Sequence, residues 1–506
     1  MLAKTSSFAL VGIEGCPIDV EVDINSGLPK FDIVGLPDTA VKESKDRVRS
    51  AIKNSGKKFP ISIITVNLAP ADVKKEGAHL DLAIAVAILK ASSVQMPKLK
   101  DFILVGELGL DGKLRGVNGV LPLLISASMC GYKNFIIPEE NAKEASYIDG
   151  INVYAFPTLN GVLGFLSGED EVSPIEKSEF ADLPDDVEYP VDLSLVKGQE
   201  VAKRAIEIAV SGGHNILLVG APGAGKTMLA RCIPTIMPDM TFEEALETTK
   251  IHSVAGTLTD EGIVRTRPFM TPHHTATNIA LIGGGTNAKP GVISLAHNGV
   301  LYLDELPEYP RATLECLRQP LEDRVVTVSR AKLTVNYPAS FIMCASMNPC
   351  PCGNYGSKKL ECKCSPAQIM KYKAKISGPL LDRIDLQVEV DCVEYDDLVS
   401  KEVGESSASV KRRVNRTRAI QRERFKNDKI KTNSEMTEKH LAKYCKLTKE
   451  EEELLKASFE AFKLSARARG RILKVARTIA DMSLSEDILP EHLLEAISYR
   501  KFDINK

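Results

Sequence analysis

One run limits the folds open to this chain more than anything else in it: Gly220-Ala221-Pro222-Gly223-Ala224-Gly225-Lys226-Thr227. It meets the pattern G-x-x-x-x-G-K-[ST] at every fixed position. An apolar run (residues 215–219) precedes it, and a helix-forming run (residues 228–231) follows. Strand, glycine-rich turn and helix in that order make a P-loop. The glycines let backbone N–H groups converge on phosphate oxygens where a side chain would block approach. The start of the next helix adds favourable potential for an anion. Lys226 is then the cation that reaches the outer phosphates, and the Thr227 hydroxyl is a magnesium ligand. A chance glycine turn with an accidental lysine would not explain the strand and helix on either side. ATP and Mg2+ are therefore the expected cofactors.

Such a site needs acid at the end of a neighbouring strand, and Val300-Leu301-Tyr302-Leu303-Asp304-Glu305 supplies it. An Asp-Glu pair alone is a weak signal, because most are exposed surface charges. After an apolar strand and downstream of a P-loop it becomes specific. Asp304 is expected to hold the magnesium ion and Glu305 to polarise the attacking water, since phosphoryl transfer depends on positioning and charge stabilisation. A third β-like run, residues 340–345, leads to Asn348. A polar residue there would sit beside the γ-phosphate, as the sensor Asn does in AAA+ ATPases. Three such strands separated by helical patterns suit a parallel sheet with crossover helices.

At 506 residues, several domains are expected. Residues 1–166 alternate β-like runs (8–12, 18–24, 61–68, 102–107) with helical ones (39–54, 81–91, 121–130) and read as a separate α/β domain. Residues 167–190, with many Asp and Glu and several Pro, read as an acidic linker. Residues 191–393 hold the P-loop domain, and residues 394–506 read as mostly helical. Charged residues make up 26%, but the net charge is only −2, so no global basic field argues for nucleic acid. Any such contact must come from local patches. No signal peptide and no apolar run of about 20 residues is evident, so a cytoplasmic protein without membrane contact is expected.

Eleven Cys in such a chain are not expected to form a disulfide framework. Cys350-Pro351-Cys352 and Cys362-Lys363-Cys364 bracket a short polar loop, and four thiolates there could surround a structural zinc tetrahedrally. Four reduced thiols in a turn-rich loop are the alternative. Residues 324–332 end in Ser329-Arg330-Ala331-Lys332 and read as a hairpin with a basic tip. A solvated hairpin is one reading. The other, which the helicase resemblance described below implies, places Arg330 and Lys332 on DNA phosphates, contacts that carry no sequence information. Residues 282–289, glycine-rich and ending in Lys289, form a second DNA-contacting candidate. The run Lys411-Arg412-Arg413 with Arg416, Arg418, Arg422 and Arg424 is a third, and reads first as a solvated helix face.

Further motifs carry a family resemblance. Asp192-Leu193-Ser194-Leu195-Val196-Lys197-Gly198-Gln199 looks like the entry motif of AAA+ modules. Arg267-Pro268-Phe269-Met270-Thr271-Pro272-His273-His274-Thr275 and Ser377-Gly378-Pro379-Leu380-Leu381-Asp382-Arg383-Ile384-Asp385 resemble signatures of magnesium-chelatase-like ATPases. The whole chain resembles the ComM/YifB group, competence proteins that act as hexameric DNA branch-migration helicases. That resemblance implies a homo-oligomer, a hexamer, acting on branched or single-stranded DNA with low sequence specificity. It implies that Arg383 is an arginine finger inserted into a neighbouring subunit's site. It implies that Arg467 is the second sensor in a helical lid, with Arg469, Arg471 and Arg477 as competitors. The N-terminal domain resembles the Lon-protease fold, but His79 stands where the nucleophilic serine belongs and Leu121 where its lysine partner belongs. A Ser–Lys dyad needs both, so no peptidase activity is expected. The expected architecture is thus α/β: a Lon-protease-like domain, an AAA+ P-loop domain with a parallel sheet, and a C-terminal helical lid. A chelatase-like ATPase that remodels a protein partner is the alternative function.

Overall fold

The computed structural model describes residues 1–182, 189–259, 262–285, 288–330, 333–356, 360–392, 404–462 and 466–500. The N-terminal region is built on a seven-stranded mixed sheet. Its spatial order is Lys30–Val34, Ile63–Ala69, Glu14–Asn25, Leu2–Val11, Phe102–Leu104, Asn134–Pro138, Asn152–Phe156. The first strand begins well before residue 8 because Thr5 and Ser7 point inward. Their hydroxyls donate to the carbonyls of Ala83 at 3.0 Å and Leu104 at 2.7 Å. A buried hydroxyl is tolerated once paired, and apolar patterning cannot see it. Helix Asp81–Ala91 is buried along almost its whole length, and Thr39–Asn54 packs beside it, capped by the Asp38 carboxylate on the Val41 N–H at 2.8 Å.

The second sheet has five parallel strands in the order Phe269–Met270, Val300–Leu303, Ile342–Met347, Ile216–Gly220, Leu386–Val390. Ile216–Gly220 is fully buried, which is why it reads as a continuous apolar run rather than an alternating one. In sheets of this kind the ligand crevice lies at the carboxyl ends of the strands. Two antiparallel ribbons are inserted in the crossovers: Gly283–Gly284 with Lys289–Pro290, and Val325–Arg330 with Leu333–Pro338.

The C-terminal region is helical, with Ser407–Arg424, Glu438–Tyr444, Lys449–Phe462, Ala466–Met482 and Pro490–Ser498. It shares one apolar cluster with helices Glu200–Gly212 and Lys226–Ile236 of the P-loop region. Much of the basic run on Ser407–Arg424 serves this packing. Arg413 binds Glu207 at 2.6 Å, Lys411 binds Asp239 at 2.5 Å, Arg418 donates to the Val210 carbonyl at 2.8 Å, and Arg424 binds Asp481 at 2.6 Å. Arg412, Arg416 and Arg422 stay exposed.

The three regions touch. In the acidic stretch after residue 167, the Ile175 N–H donates to the Val153 carbonyl at 2.8 Å and Phe180 lies 5.8 Å from the Phe242 ring. Its described part is strapped down rather than free-standing. Helix Phe242–Ala255 docks on the N-terminal region through Ser253, which donates to Glu144 Oε2 at 2.8 Å and accepts from the Gly119 N–H at 3.1 Å. The turn after the first strand rests on the longer ribbon. A Cβ on Gly12, at φ +68°, would lie 2.1 Å from Val335 Cγ1.

Candidate active site

The P-loop leaves strand Ile216–Gly220 at its carboxyl end and enters helix Lys226–Ile236 through Gly225, whose φ of 90° needs the left-handed region that glycine adopts freely. This turn aims Lys226 back across the loop. Its ammonium donates to the carbonyls of Gly220 at 2.7 Å and Ala221 at 2.9 Å, and to Asn348 Oδ1 at 3.1 Å. Burial lowers the Lys226 pKa, opposed by the nearby charge of Asp304. The P-loop lysine and the Asn at the end of Ile342–Met347 therefore meet directly.

The acid pair sits across from Thr227, whose hydroxyl donates to Asp304 Oδ2 at 3.2 Å. A hydroxyl and a carboxylate converging this way form a hard-oxygen donor set suited to magnesium. Glu305 adopts φ 52° and leaves its side chain 56% exposed. It faces a cleft of about 1140 Å³ lined by Thr227, Asp304, Arg231, Tyr302 and the His273–His274 pair, among others. Several of these groups escaped the sequence reading. The Ser346 hydroxyl donates to Asp304 Oδ1 and accepts from the Glu305 N–H at 3.3 Å, tying the two acids to the adjacent strand. His274 Nδ1 lies 3.9 Å from Glu305, and the Tyr309 hydroxyl fixes the loop by donating to the Pro272 carbonyl at 2.6 Å. Ser346 carried a faint signal, since it lies near the end of the strand that leads to Asn348.

The arginines separate by environment. Arg383 is 9% exposed; its guanidinium donates to the Pro379 carbonyl at 2.6 Å and forms an ion pair with the exposed Glu322. Arg467 is 70% exposed and lies 3.8 Å from Asp382, the residue next to Arg383. Its competitors are otherwise engaged. Arg469 binds Glu452 at 2.9 Å, Arg471 binds Asp385 at 2.6 Å, and Arg477 binds Asp481 at 2.9 Å. Burial would raise the Asp385 carboxyl, but Arg471 and then His214 hold it well below the usual range. Arg471 is thereby committed to structure.

Cys350, Cys352, Cys362 and Cys364 come together, with all four sulfurs within 4.8 Å of one another. The Cys352 thiol is pushed down to about 6 by the backbone N–H groups of Asn354 and Lys363. Of the proposed DNA contacts, Arg330 ends the first strand of the longer ribbon and Lys289 is exposed at the foot of the shorter one. Lys332 lies outside the described residues. In the N-terminal region His79 is half-buried with its Nε2 enclosed, and burial pushes its pKa down to about 4. Leu121 is 1% exposed and Lys75 is fully buried, its ammonium donating to the Pro70 carbonyl.

A parallel sheet in this order, with a P-loop at the end of Ile216–Gly220, Asn348 just after the neighbouring strand and an acid pair at the end of the strand beyond, defines an AAA+ ATPase. Residues 192–398 match the family described as magnesium chelatase, subunit ChlI; residues 20–141 match subunit ChlI of Mg-chelatase, and residues 404–500 its C-terminal part. Competence protein ComM of Haemophilus influenzae is 43% identical over 504 residues, covering 99% of this chain and 97% of that protein. The uncharacterized protein YifB of Escherichia coli strain K12 is 45% identical over 498 residues, covering 98% and 96%. The chain belongs to the ComM/YifB family of magnesium-chelatase-like AAA+ ATPases. Its N-terminal region is also similar to the Lon protease of Mycoplasma mycoides, 28% identical over 134 residues, which is 25% of this chain and 17% of that one. Among the described residues no helix is long and apolar enough to cross a membrane.

Proposed function

We propose that the chain is an ATP-driven DNA motor, assembled as a homo-hexameric ring, that moves branched or single-stranded DNA during recombination or natural transformation. The observation that carries this reading is the ribbon Val325–Arg330/Leu333–Pro338. It is inserted between the acid-pair strand and the Asn348 strand, and its root is held in the core by the buried Val326, Val328, Val335 and Tyr337. A shift of either strand during the ATP cycle reaches the ribbon through that packing. Arg330 ends its first strand, and Arg330 with Lys332, two residues on in the sequence, supplies phosphate contacts with no base readout. Lys289 on the second ribbon adds another.

At the nucleotide site, Lys226 and the P-loop N–H groups hold the phosphates, while Thr227 and Asp304 hold magnesium. Bound magnesium neutralises charge on the phosphate oxygens. Glu305 polarises the attacking water, and Asn348 lies beside the outer phosphate. Arg383 makes its hydrogen bonds to Glu322 and Pro379 rather than to this chain's own phosphate site, which supports action in a neighbouring subunit. Arg467, close to Asp382, approaches the same interface. The four cysteines hold a structural zinc. His79 and Leu121 leave the Lon-like region without a peptidase dyad.

The test is ATPase activity with and without forked, four-way and duplex DNA, together with strand displacement on the same substrates. Stimulation by branched or single-stranded DNA is expected. ATP hydrolysis unaffected by every DNA would overturn the reading and favour a remodeller of protein partners.

A further inference from the structure

We infer that the four-cysteine knuckle is a metal-dependent clamp on the nucleotide site: zinc held there fixes the P-loop and the Asn348 sensor in their hydrolytic arrangement. The inference rests on the zinc reading above and adds a role for the metal.

The sulfur geometry suits the ion. Tetrahedral zinc with Zn–S near 2.3 Å requires sulfurs about 3.8 Å apart. Cys350 lies 3.4 Å from Cys352 and 3.7 Å from Cys362, and Cys352 lies 3.7 Å from Cys362. The Tyr355 N–H donates to Cys350 Sγ at 3.3 Å, the outer-shell support that thiolate ligands commonly have.

What makes the knuckle more than a staple is where it rests. Cys350 is fully buried and follows Asn348 by two residues, so its fixation also fixes the backbone that aims Asn348 at Lys226. The turn inside the knuckle then meets the P-loop itself. Gly353, at φ +82°, approaches so closely that a Cβ there would lie 2.4 Å from Pro222 Cδ and 2.7 Å from Cγ. On its other side the knuckle runs into Ser365, which opens helix Pro366–Lys373 with a capping box. That helix leads to Gly378–Leu381 and Arg383. One small loop thus contacts the P-loop, carries the sensor and leads into the finger segment. Glycine-rich turns do not hold such a shape alone, and a metal that closes the loop supplies the missing free energy.

The full-length protein tests this in three measurements: metal content by mass spectrometry, steady-state ATP hydrolysis, and affinity for a fluorescent ATP analogue. The parent should carry about one zinc per chain, and its cobalt-substituted form should show a thiolate-to-metal charge-transfer band. Cys364→Ser should lose the metal, and its kcat should fall about 10- to 100-fold while analogue affinity stays near parental. Gly353→Ala keeps all four thiols. It should retain zinc yet lose hydrolysis similarly, because its methyl displaces Pro222. Zinc returned to metal-stripped parent should restore kcat. If zinc is bound but Gly353→Ala and the stripped parent both hydrolyse ATP at the parental rate, the clamp is wrong and the zinc reading stands. If both variants lose analogue binding together with hydrolysis, the knuckle is merely part of the fold and the clamp is overturned. If the parent holds no metal and takes up cobalt without a thiolate band, both readings fall.

Discussion

The N-terminal and P-loop regions are both α/β layers with polar groups set among apolar strands, yet they use those groups in opposite ways. In the N-terminal region the buried carboxyls are answered by protein partners, one of them Ser253 on the helix that docks from the P-loop region. Asp81 accepts from Arg47 Nε at 2.7 Å and from Ser44, and Glu144 accepts from Asn141 at 2.7 Å and from Ser253 at 2.8 Å. Burial raises both carboxyls. The positions a Lon-type enzyme would use hold an enclosed imidazole and a buried leucine. In the P-loop region the corresponding groups stop at the strand ends and face a cleft, with Glu305 more than half exposed. A buried polar group without a partner is costly. A sheet can therefore seal its polar groups and gain stability, or hold them open for a ligand and gain chemistry. Here one chain does each once.

The sharpest break of this contrast is Lys226→Ala, which should abolish nucleotide binding, read by equilibrium binding of a fluorescent ATP analogue. Next is Arg383→Ala. A finger stabilises the transition state more than the ground state, so hydrolysis should fall by about 10³-fold or more with ATP still bound. In the proposed ring, mixtures of Arg383→Ala and Lys226→Ala should regain part of the activity, because some interfaces would pair an intact P-loop with an intact Arg383. No recovery in rings shown to be mixed would count against action in trans.

Glu305→Gln should lower kcat by about 10²- to 10⁴-fold and leave ATP bound, since Asp304 and Lys226 remain. Turnover at the parental rate would remove Glu305 from the catalytic role. A smaller effect is expected on the ribbon. Arg330→Ala and Lys332→Ala should keep basal ATPase and lose DNA stimulation, and each should reduce the salt slope of DNA binding by about one. Normal migration of branched DNA by both variants would shift the DNA contact to the ribbon that carries Lys289.

The smallest effect belongs to the sealed region. His79, with its pKa pushed down to about 4, binds its proton less readily folded than unfolded, where its ordinary value is 6.5. Its burial therefore costs nothing extra above about pH 6.5 and destabilises the fold increasingly as the pH falls towards 4. The raised carboxyls of Asp81 and Glu144 act in the opposite direction, so parent and variant must be compared at each pH. His79→Asn should flatten part of the acid loss in thermal denaturation and leave ATPase near parental. Loss of ATPase at pH 7.5 with the fold intact would show that this region is not simply sealed.

The legible parts were those written in consecutive residues. The P-loop, the acid pair and Asn348 each depend on a strand end and the residues just after it, so spacing along the chain is enough. The same holds for helices Thr39–Asn54 and Asp81–Ala91. Strands Lys30–Val34, Asn134–Pro138 and Asn152–Phe156 were not anticipated. They are short, and what stabilises them is pairing with distant strands rather than a local pattern. The stretch after residue 167 looked like a linker by composition, and Ile175 and Phe180 nonetheless found partners on the neighbouring regions.

The sequence by itself determined that phosphates and magnesium have a place here, because a glycine turn between strand and helix creates that site through local backbone geometry. It also brought Cys350 and Cys352 within two residues of each other. Only the tertiary structure decided that Ser346 ties down Asp304, 42 residues away, that Arg383 is held by Glu322, 61 residues away, and that Gly353 rests on Pro222 of the P-loop. The first and last of these contacts join segments that meet only when adjacent strands of a parallel sheet bring their ends together, and the second joins crossover segments that the assembled sheet brings side by side. The connection between such strands is long and of no fixed length, so no spacing along the chain encodes them.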